Sequence, residues 1–183
     1  SDIWRASVDL PFNHFIDTPS TVLERGLTQQ KGVLRDFRTS LETYTGKKIS
    51  PTRLKEAIKT HNQQRALMRD LYDLRKPDPP LISGVESLQV LKAVMSLPID
   101  EGNQLLTEAI TDAKNRKDGP KKKPGRLFVW GPVVDDTSFL EMIESLDANA
   151  VMEGTCVGGR AFMEDVEITD DPIDGLAHHY LVD

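Results

Sequence analysis

The sequence predicts an α/β fold in which a mostly helical segment precedes part of a parallel sheet. Three observations predict it. A long stretch carries apolar residues at three- and four-residue spacing, a basic Pro/Gly-rich break follows, and two short apolar runs then flank one amphipathic helical pattern. Two strands joined through a helix form a βαβ unit, which requires parallel strands and a right-handed crossover.

Four segments follow from this pattern. Residues 1–16 are predicted as an extended or strand segment, 17–117 as the helical segment, 118–125 as a basic Pro/Gly linker, and 126–183 as an incomplete α/β domain of the Rossmann or flavodoxin-like kind. Two parallel strands cannot cover both faces of a sheet. Since the chain also opens without Met, at "SDIWRASVDLP", we expect an internal fragment of a longer polypeptide.

Two helix starts are predicted from short polar signals. Ser50 is placed to cap a helix whose first position is Pro51, where proline loses no needed hydrogen-bond donor. Ser83 is followed three residues later by Glu86, which is the pattern of a capping box.

The incomplete α/β domain is predicted from the runs "RLFVWG" and "ANAVMEG", both interpreted as buried strands that end at glycine. Between them Asp136 is predicted to cap a helix, and near the end of the chain Asp171 is predicted to cap a helix that begins at Pro172. The inward face predicted for the first of these helices comprises Phe139, Leu140, Ile143 and Leu146.

Composition excludes several classes of protein. The net charge of −6 over 183 residues argues against a nucleic-acid partner, and the run "KNRKDGPKKKPG" is interpreted as a solvated linker. No apolar run approaches the length of a membrane span, so no membrane partner is expected. A single cysteine excludes an internal disulfide framework and favours a reducing, cytoplasmic location.

That cysteine, Cys156, follows the second predicted strand, and the loops after parallel strands meet at the edge where ligands bind. Gly158 and Gly159 would let backbone amides approach a ligand closely. Three interpretations stay open: an inert buried thiol, a nucleophile paired with a histidine such as His178 or His179, or a metal ligand. The residues near Cys156 do not provide the further ligands that a zinc site needs. Cys156 could still bind one iron of a cluster together with cysteines from elsewhere.

Five segments in order carry a family resemblance: "LETYTGKKISPTRLKEAIKTHNQQRALMRDLYDLRK", "PPLISGVESLQVLKAVM", "RLFVWGPVVDD", "VMEGTCVGGRAF" and "DPIDGLAHHYL". Together they resemble the benzoyl-CoA reductase and 2-hydroxyacyl-CoA dehydratase family, over residues 8–183. Each motif is short, and the specificity lies in their order and spacing.

The resemblance implies an oxygen-sensitive heterodimer, in which a homologous partner subunit pairs with this one and at least one subunit holds a [4Fe–4S] cluster. It implies that Cys156 is one cluster ligand, with the other cysteines outside this chain, and that Gly158 and Gly159 support the cluster loop. A separate ATP-hydrolysing iron–sulfur activator would deliver a low-potential electron, and the substrate would be an acyl-CoA. The chain alone is not expected to hold a cluster stably or to be active.

The resemblance leaves the reaction open. "GGRAFMEDV" and "VVDDTSFLEMIES" favour a benzoyl-CoA reductase over a 2-hydroxyacyl-CoA dehydratase, in which a ketyl radical expels the hydroxyl group. Candidate contacts to the substrate or to coenzyme A are Ser83, Glu86 and Arg160, although capping explains the first two without a substrate. The alternative from another class is a non-catalytic helical interaction module with a buried structural cysteine.

Overall fold

A computed structural model describes residues 7–182 of the chain. The helices are α1 (Glu24–Thr45), α2 (Pro51–Asp73), α3 (Gly84–Val94), α4 (Ile99–Asn115), α5 (Thr137–Ser145) and α6 (Pro172–Leu181). The strands are β1 (Gly125–Trp130) and β2 (Ala148–Gly154), and a short 3₁₀ helix spans Gly159–Ala161. Residues 8–23 contain neither helix nor strand. The first part of the predicted extended segment, residues 1–6, lies outside the described residues.

The predicted α/β fold class is confirmed by the pairing of β1 with β2. The two strands are parallel, with register from Gly125 opposite Ala148 to Trp130 opposite Gly154, and α5 connects them. An irregularity of the register falls between Leu127 and Phe128.

The described residues group into two compact units: residues 7–59 with 166–182, and Thr60–Asp165. The sequence placed residues 126–183 in one segment, whereas in the structure residues 166–182 group with the beginning of the chain.

In the first unit, α1 packs against α6. Lys31 pairs with Asp174 at 3.0 Å, and Arg35 pairs with Asp171 at 2.9 Å. Helix α1 runs unbroken through Gly26, where a Cβ atom would lie 1.9 Å from the Thr21 carbonyl oxygen. Glycine is required there because the preceding backbone lies directly against the helix.

The second unit holds two apolar clusters. The larger is formed by α2, α3 and α4 with Phe162 from the segment after β2. The smaller is formed by Leu88 of α3, Val129 of β1, Leu140 of α5 and Ala150 of β2, so one face of the sheet is covered by helices. The fully buried members of the larger cluster include Leu71, Leu91, Leu106 and Phe162.

The caps predicted at Ser50, Ser83, Asp136 and Asp171 are confirmed. The Ser83 hydroxyl accepts the Glu86 amide N–H, and the Glu86 carboxylate accepts the Ser83 amide N–H, which is the reciprocal capping box. The Ser50 hydroxyl accepts the amide N–H of Arg53 at 3.3 Å. Asp136 and Asp171 cap α5 and α6 through the amides of Ser138 and Ile173.

Strand β1 is less buried than its sequence predicts. Phe128 is 55% exposed and Trp130 is 68% exposed, and Val129 is the buried apolar side chain of this strand. The prediction of a buried strand was therefore wrong for β1, while β2 is largely buried. Of the predicted inward face of α5, Phe139 and Leu146 are likewise exposed.

Within residues 7–182, no helix combines the length and apolarity needed to cross a membrane.

Replacing Leu140, which is fully buried between α5 and the sheet, should destabilise the chain. We expect Leu140→Ala to lower the free energy of unfolding by about 2–5 kcal/mol, because the lost methyl groups leave a cavity. Urea unfolding followed by circular dichroism measures it. Met142→Ala changes an exposed side chain of the same helix and is the control; a Leu140→Ala cost no larger than that of Met142→Ala would contradict the described packing.

Candidate functional site

The loops that follow β1 and β2 meet at the carboxyl edge of the sheet, as predicted. The amide N–H of Cys156, in the loop after β2, donates to the carbonyl oxygen of Pro132, in the loop after β1, at 2.9 Å. A parallel pair brings its carboxyl ends together, so topology alone places these loops side by side.

The thiol of Cys156 is exposed at this edge. The interpretation of Cys156 as a buried thiol is therefore wrong. One further side chain contacts the sulfur, since Nη2 of Arg160 lies 3.5 Å from Sγ of Cys156. The same Nη2 donates to the carbonyl oxygen of Gly131 at 2.5 Å, and the guanidinium lies 5.0 Å from the centroid of the Trp130 ring.

Gly158 and Gly159 are buried, and the structure gives them a packing role. A Cβ atom on Gly158 would lie 2.7 Å from Oγ1 of Thr155, and one on Gly159 would lie 2.8 Å from the Glu153 carbonyl oxygen. The amide N–H of Gly158 donates to that same Thr155 hydroxyl at 3.0 Å. The amide of Gly158 is thus bonded within the loop, and support of a cluster by these two glycines stays a prediction.

A buried ion pair lies below the loop. The guanidinium of Arg75, just after α2, donates to both carboxylate oxygens of Glu153 on β2, at 2.6 and 2.7 Å. The two side chains are 0% and 5% exposed, and Arg75 also reaches the carbonyl oxygen of Ala150. Burial alone would lower the pKa of Arg75. The hydrogen bonds and the negative charge of Glu153 have the opposite effect and prevail, so the pKa of Arg75 is raised.

Tyr72 completes this buried group. Its ring lies 4.1 Å from the Arg75 guanidinium carbon, and a Cβ atom on Gly158 would be 3.0 Å from its hydroxyl. Burial, and secondarily the charge of Glu153, raise the pKa of the Tyr72 hydroxyl. The tyrosine is therefore neutral and connects the ion pair to the underside of the cysteine loop.

Ser83 and Glu86 lie near the amino ends of the strands, beside Lys123 and Asn149, whereas Cys156 and Arg160 lie at the carboxyl ends. The structure therefore does not bring the three predicted substrate contacts together. Besides its capping role, Glu86 pairs with the guanidinium of Arg116 at 2.5 and 2.8 Å. The Arg116 hydrogen bonds lower the pKa of Glu86 to about 2. The two capping residues border a polar cavity of about 430 Å³, lined also by Arg116, Asp118, Gly119, Pro120, Lys121, Lys123, Glu144 and Asn149.

Across residues 7–182, no cluster of three or more His, Cys, Asp or Glu side chains is arranged to hold a metal ion. Among the described residues, the sulfur donor at the carboxyl ends of the strands is the exposed thiol of Cys156. A thiolate suits iron, and a cluster needs several of them, so the loop fits the role of one ligand among others.

These features define a class: an α/β protein that presents one thiol on the loop after a parallel strand. The sequence model described as 2-hydroxyglutaryl-CoA dehydratase, D-component, matches residues 1–183. The chain belongs to this family, which confirms the resemblance identified from the sequence motifs.

Two curated relatives are similar to the chain. One is a subunit of the benzoyl-CoA reductase of Thauera aromatica, which is 24% identical over 185 residues, covering 99% of this chain and 47% of the relative. The other, named as the putative dehydratase subunit YjiM of Escherichia coli (strain K12), is 24% identical over 174 residues, covering 92% and 45%. The chain thus spans about half the length of the curated relatives it matches.

Breaking the buried ion pair should be costly. We expect Arg75→Met to lower the free energy of unfolding by about 3–5 kcal/mol, because Glu153 would remain buried without its counter-charge. The double variant Arg75→Met/Glu153→Met should recover much of that loss, since an apolar pair leaves no buried charge. Urea unfolding of both single variants and the double variant measures the coupling; additive costs would contradict a direct interaction.

The ion pair of Glu86 predicts a pH dependence. Because the pKa of Glu86 is lowered to about 2 in the folded chain, its interactions stabilise the fold above the unfolded value of roughly 4.3 and are lost as pH falls toward 2. We expect Glu86→Gln to flatten the fall in unfolding free energy between pH 5 and 2. Urea unfolding across this range checks it, with Glu101→Gln as the control for loss of a helix carboxylate. A slope identical to that of the unchanged chain would contradict the assignment.

Proposed function

We propose that this chain is part of an iron–sulfur subunit of an enzyme that acts on acyl-CoA, and that Cys156 supplies one thiolate ligand to a [4Fe–4S] cluster. The observation that carries the proposal is the exposed thiol on the carboxyl edge of the parallel sheet. Family membership supports it, because both curated relatives are named as subunits of a reductase or a dehydratase.

The remaining cluster ligands would come from outside this chain, because Cys156 is its only cysteine. A bound cluster of this kind would supply a one-electron donor at low potential and a Lewis-acidic iron. The chain's own part is to present the sulfur: the Cys156 amide N–H is held by the Pro132 carbonyl oxygen, and the tight Gly158–Gly159 turn supports the loop from below.

For the reaction, we favour ATP-driven reduction of an aromatic acyl-CoA ring. The likeness to a subunit named for benzoyl-CoA reductase, which extends over 99% of this chain, supports this choice. Dehydration of a 2-hydroxyacyl-CoA through a ketyl radical is the second candidate, favoured by the family description and by the relative named as a dehydratase subunit. Both reactions would require a homologous partner subunit and an ATP-hydrolysing iron–sulfur activator.

Of the predicted substrate contacts, Arg160 alone lies beside the thiol. Glu86 has its carboxylate bonded to Arg116 and to the Ser83 amide, so capping accounts for both Ser83 and Glu86. A non-catalytic interaction module is the alternative from another class. That alternative predicts a buried structural cysteine, and the exposed thiol argues against it.

The proposal predicts an iron content that depends on Cys156. The full-length protein, expressed and purified without oxygen, should contain iron and sulfide and absorb visible light, and Cys156→Ser should lose most of that iron, since a serine hydroxyl is a poor replacement for a thiolate. Iron analysis and the visible spectrum measure it.

Thr155→Ser is the matched control, because it changes the adjacent residue and keeps the hydroxyl that accepts the Gly158 amide N–H. This variant should retain its iron. A full-length protein without iron after reconstitution would overturn the proposal in favour of the interaction module, and unchanged iron in Cys156→Ser would remove Cys156 from the ligand set.

A further inference from the structure

We propose that Arg160 is a positioning residue for the sulfur of Cys156. It would hold the sulfur at the carboxyl ends of the strands and place the positive charge of the guanidinium beside it. The role toward a cluster rests on the proposed function, whereas the contact between the two side chains belongs to this chain itself.

Three contacts fix the guanidinium of Arg160. Nη2 donates to the carbonyl oxygen of Gly131 at 2.5 Å, and the group lies over the ring of Trp130 at 5.0 Å. Trp130 is the last residue of β1 and Gly131 follows it directly, while Arg160 lies in the segment after β2. The arginine therefore bridges the two strand ends, and its planar guanidinium can stack and donate at the same time.

The third contact is with the sulfur, 3.5 Å from Nη2. Charge-assisted hydrogen bonds are stronger than neutral ones, and hydrogen bonds to the ligand sulfurs help to set the reduction potential of an iron–sulfur cluster. Arg160 would thus stabilise the more negatively charged, reduced form. Removing it should shift the potential to a more negative value.

The first test measures whether the positive charge of Arg160 lies beside the sulfur of Cys156 in solution. Cys156 is the only thiol in this chain, so its alkylation rate is read without interference. We compare negatively charged iodoacetate with neutral iodoacetamide. Both reagents attack the same thiolate, and the ratio of their rates therefore reports the local charge and not the fraction of thiolate.

Arg160→Gln should lower the iodoacetate-to-iodoacetamide ratio by about fivefold, as expected for one unit charge near 4 Å in a water-like dielectric. Arg160→Lys keeps the charge but not the planar group that reaches both the sulfur and the Gly131 oxygen. Its ratio should therefore fall between that of the unchanged chain and that of Arg160→Gln. Lys114→Gln removes one exposed positive charge from α4 and should leave the ratio unchanged. Circular dichroism confirms that each variant is folded. A ratio that Arg160→Gln leaves unchanged overturns the proposal.

The second test uses the full-length protein with its cluster. Arg160→Gln should retain iron and show a more negative reduction potential, measured by redox titration of the visible spectrum. Retained iron with an unchanged potential overturns the positioning role. An unaltered full-length protein that contains no iron overturns the proposed function instead, while the alkylation ratio still decides whether Arg160 positions the sulfur.

Discussion

The buried pair of Arg75 and Glu153 is the interaction on which the architecture of the second unit depends. Two charges removed from water are costly unless each meets the other with good geometry. Nη1 and Nη2 of Arg75 are bonded, while its buried Nε has no hydrogen-bond partner among the described residues. Here the contact is bidentate, the guanidinium also reaches the Ala150 carbonyl oxygen, and the Tyr72 ring lies against it. The end of β2 is therefore fixed relative to the residues that follow α2.

This fixed strand end determines how the chain continues into the cysteine loop. Gly154 lies under the rings of Phe128 and Trp130, where a Cβ atom would come within 2.4 Å of the indole. A Cβ atom on Gly158 would lie 2.7 Å from Oγ1 of Thr155 and 3.0 Å from the hydroxyl oxygen of Tyr72. The backbone therefore packs closely on both sides of the turn that carries Cys156, whose thiol is exposed.

Features that depend on neighbouring residues or on strand topology could be predicted from the sequence alone. Caps such as Ser83 with Glu86 follow from neighbouring residues, and the position of Cys156 follows from the rule that parallel strands end at one edge. The Arg75–Glu153 pair was missed, because its members are 78 residues apart and charged residues are usually exposed. The exposure of Phe128 was also missed, since a short apolar run of this kind is typical of a covered strand.

The side chains near the amino ends of the two strands and those near the carboxyl ends differ in their hydrogen bonding within the chain. At the amino edge, Glu86 is bonded to Arg116 and Ser83, the ammonium group of Lys123 donates to the Glu144 carbonyl oxygen, and Asn149 donates to the Lys121 carbonyl oxygen. These contacts stabilise the fold and explain the residues without a ligand. At the carboxyl edge, the thiol of Cys156 faces solvent beside a guanidinium. A soft, exposed donor next to a positive charge contributes little to folding, and this is the feature on which the proposed ligand role of Cys156 rests.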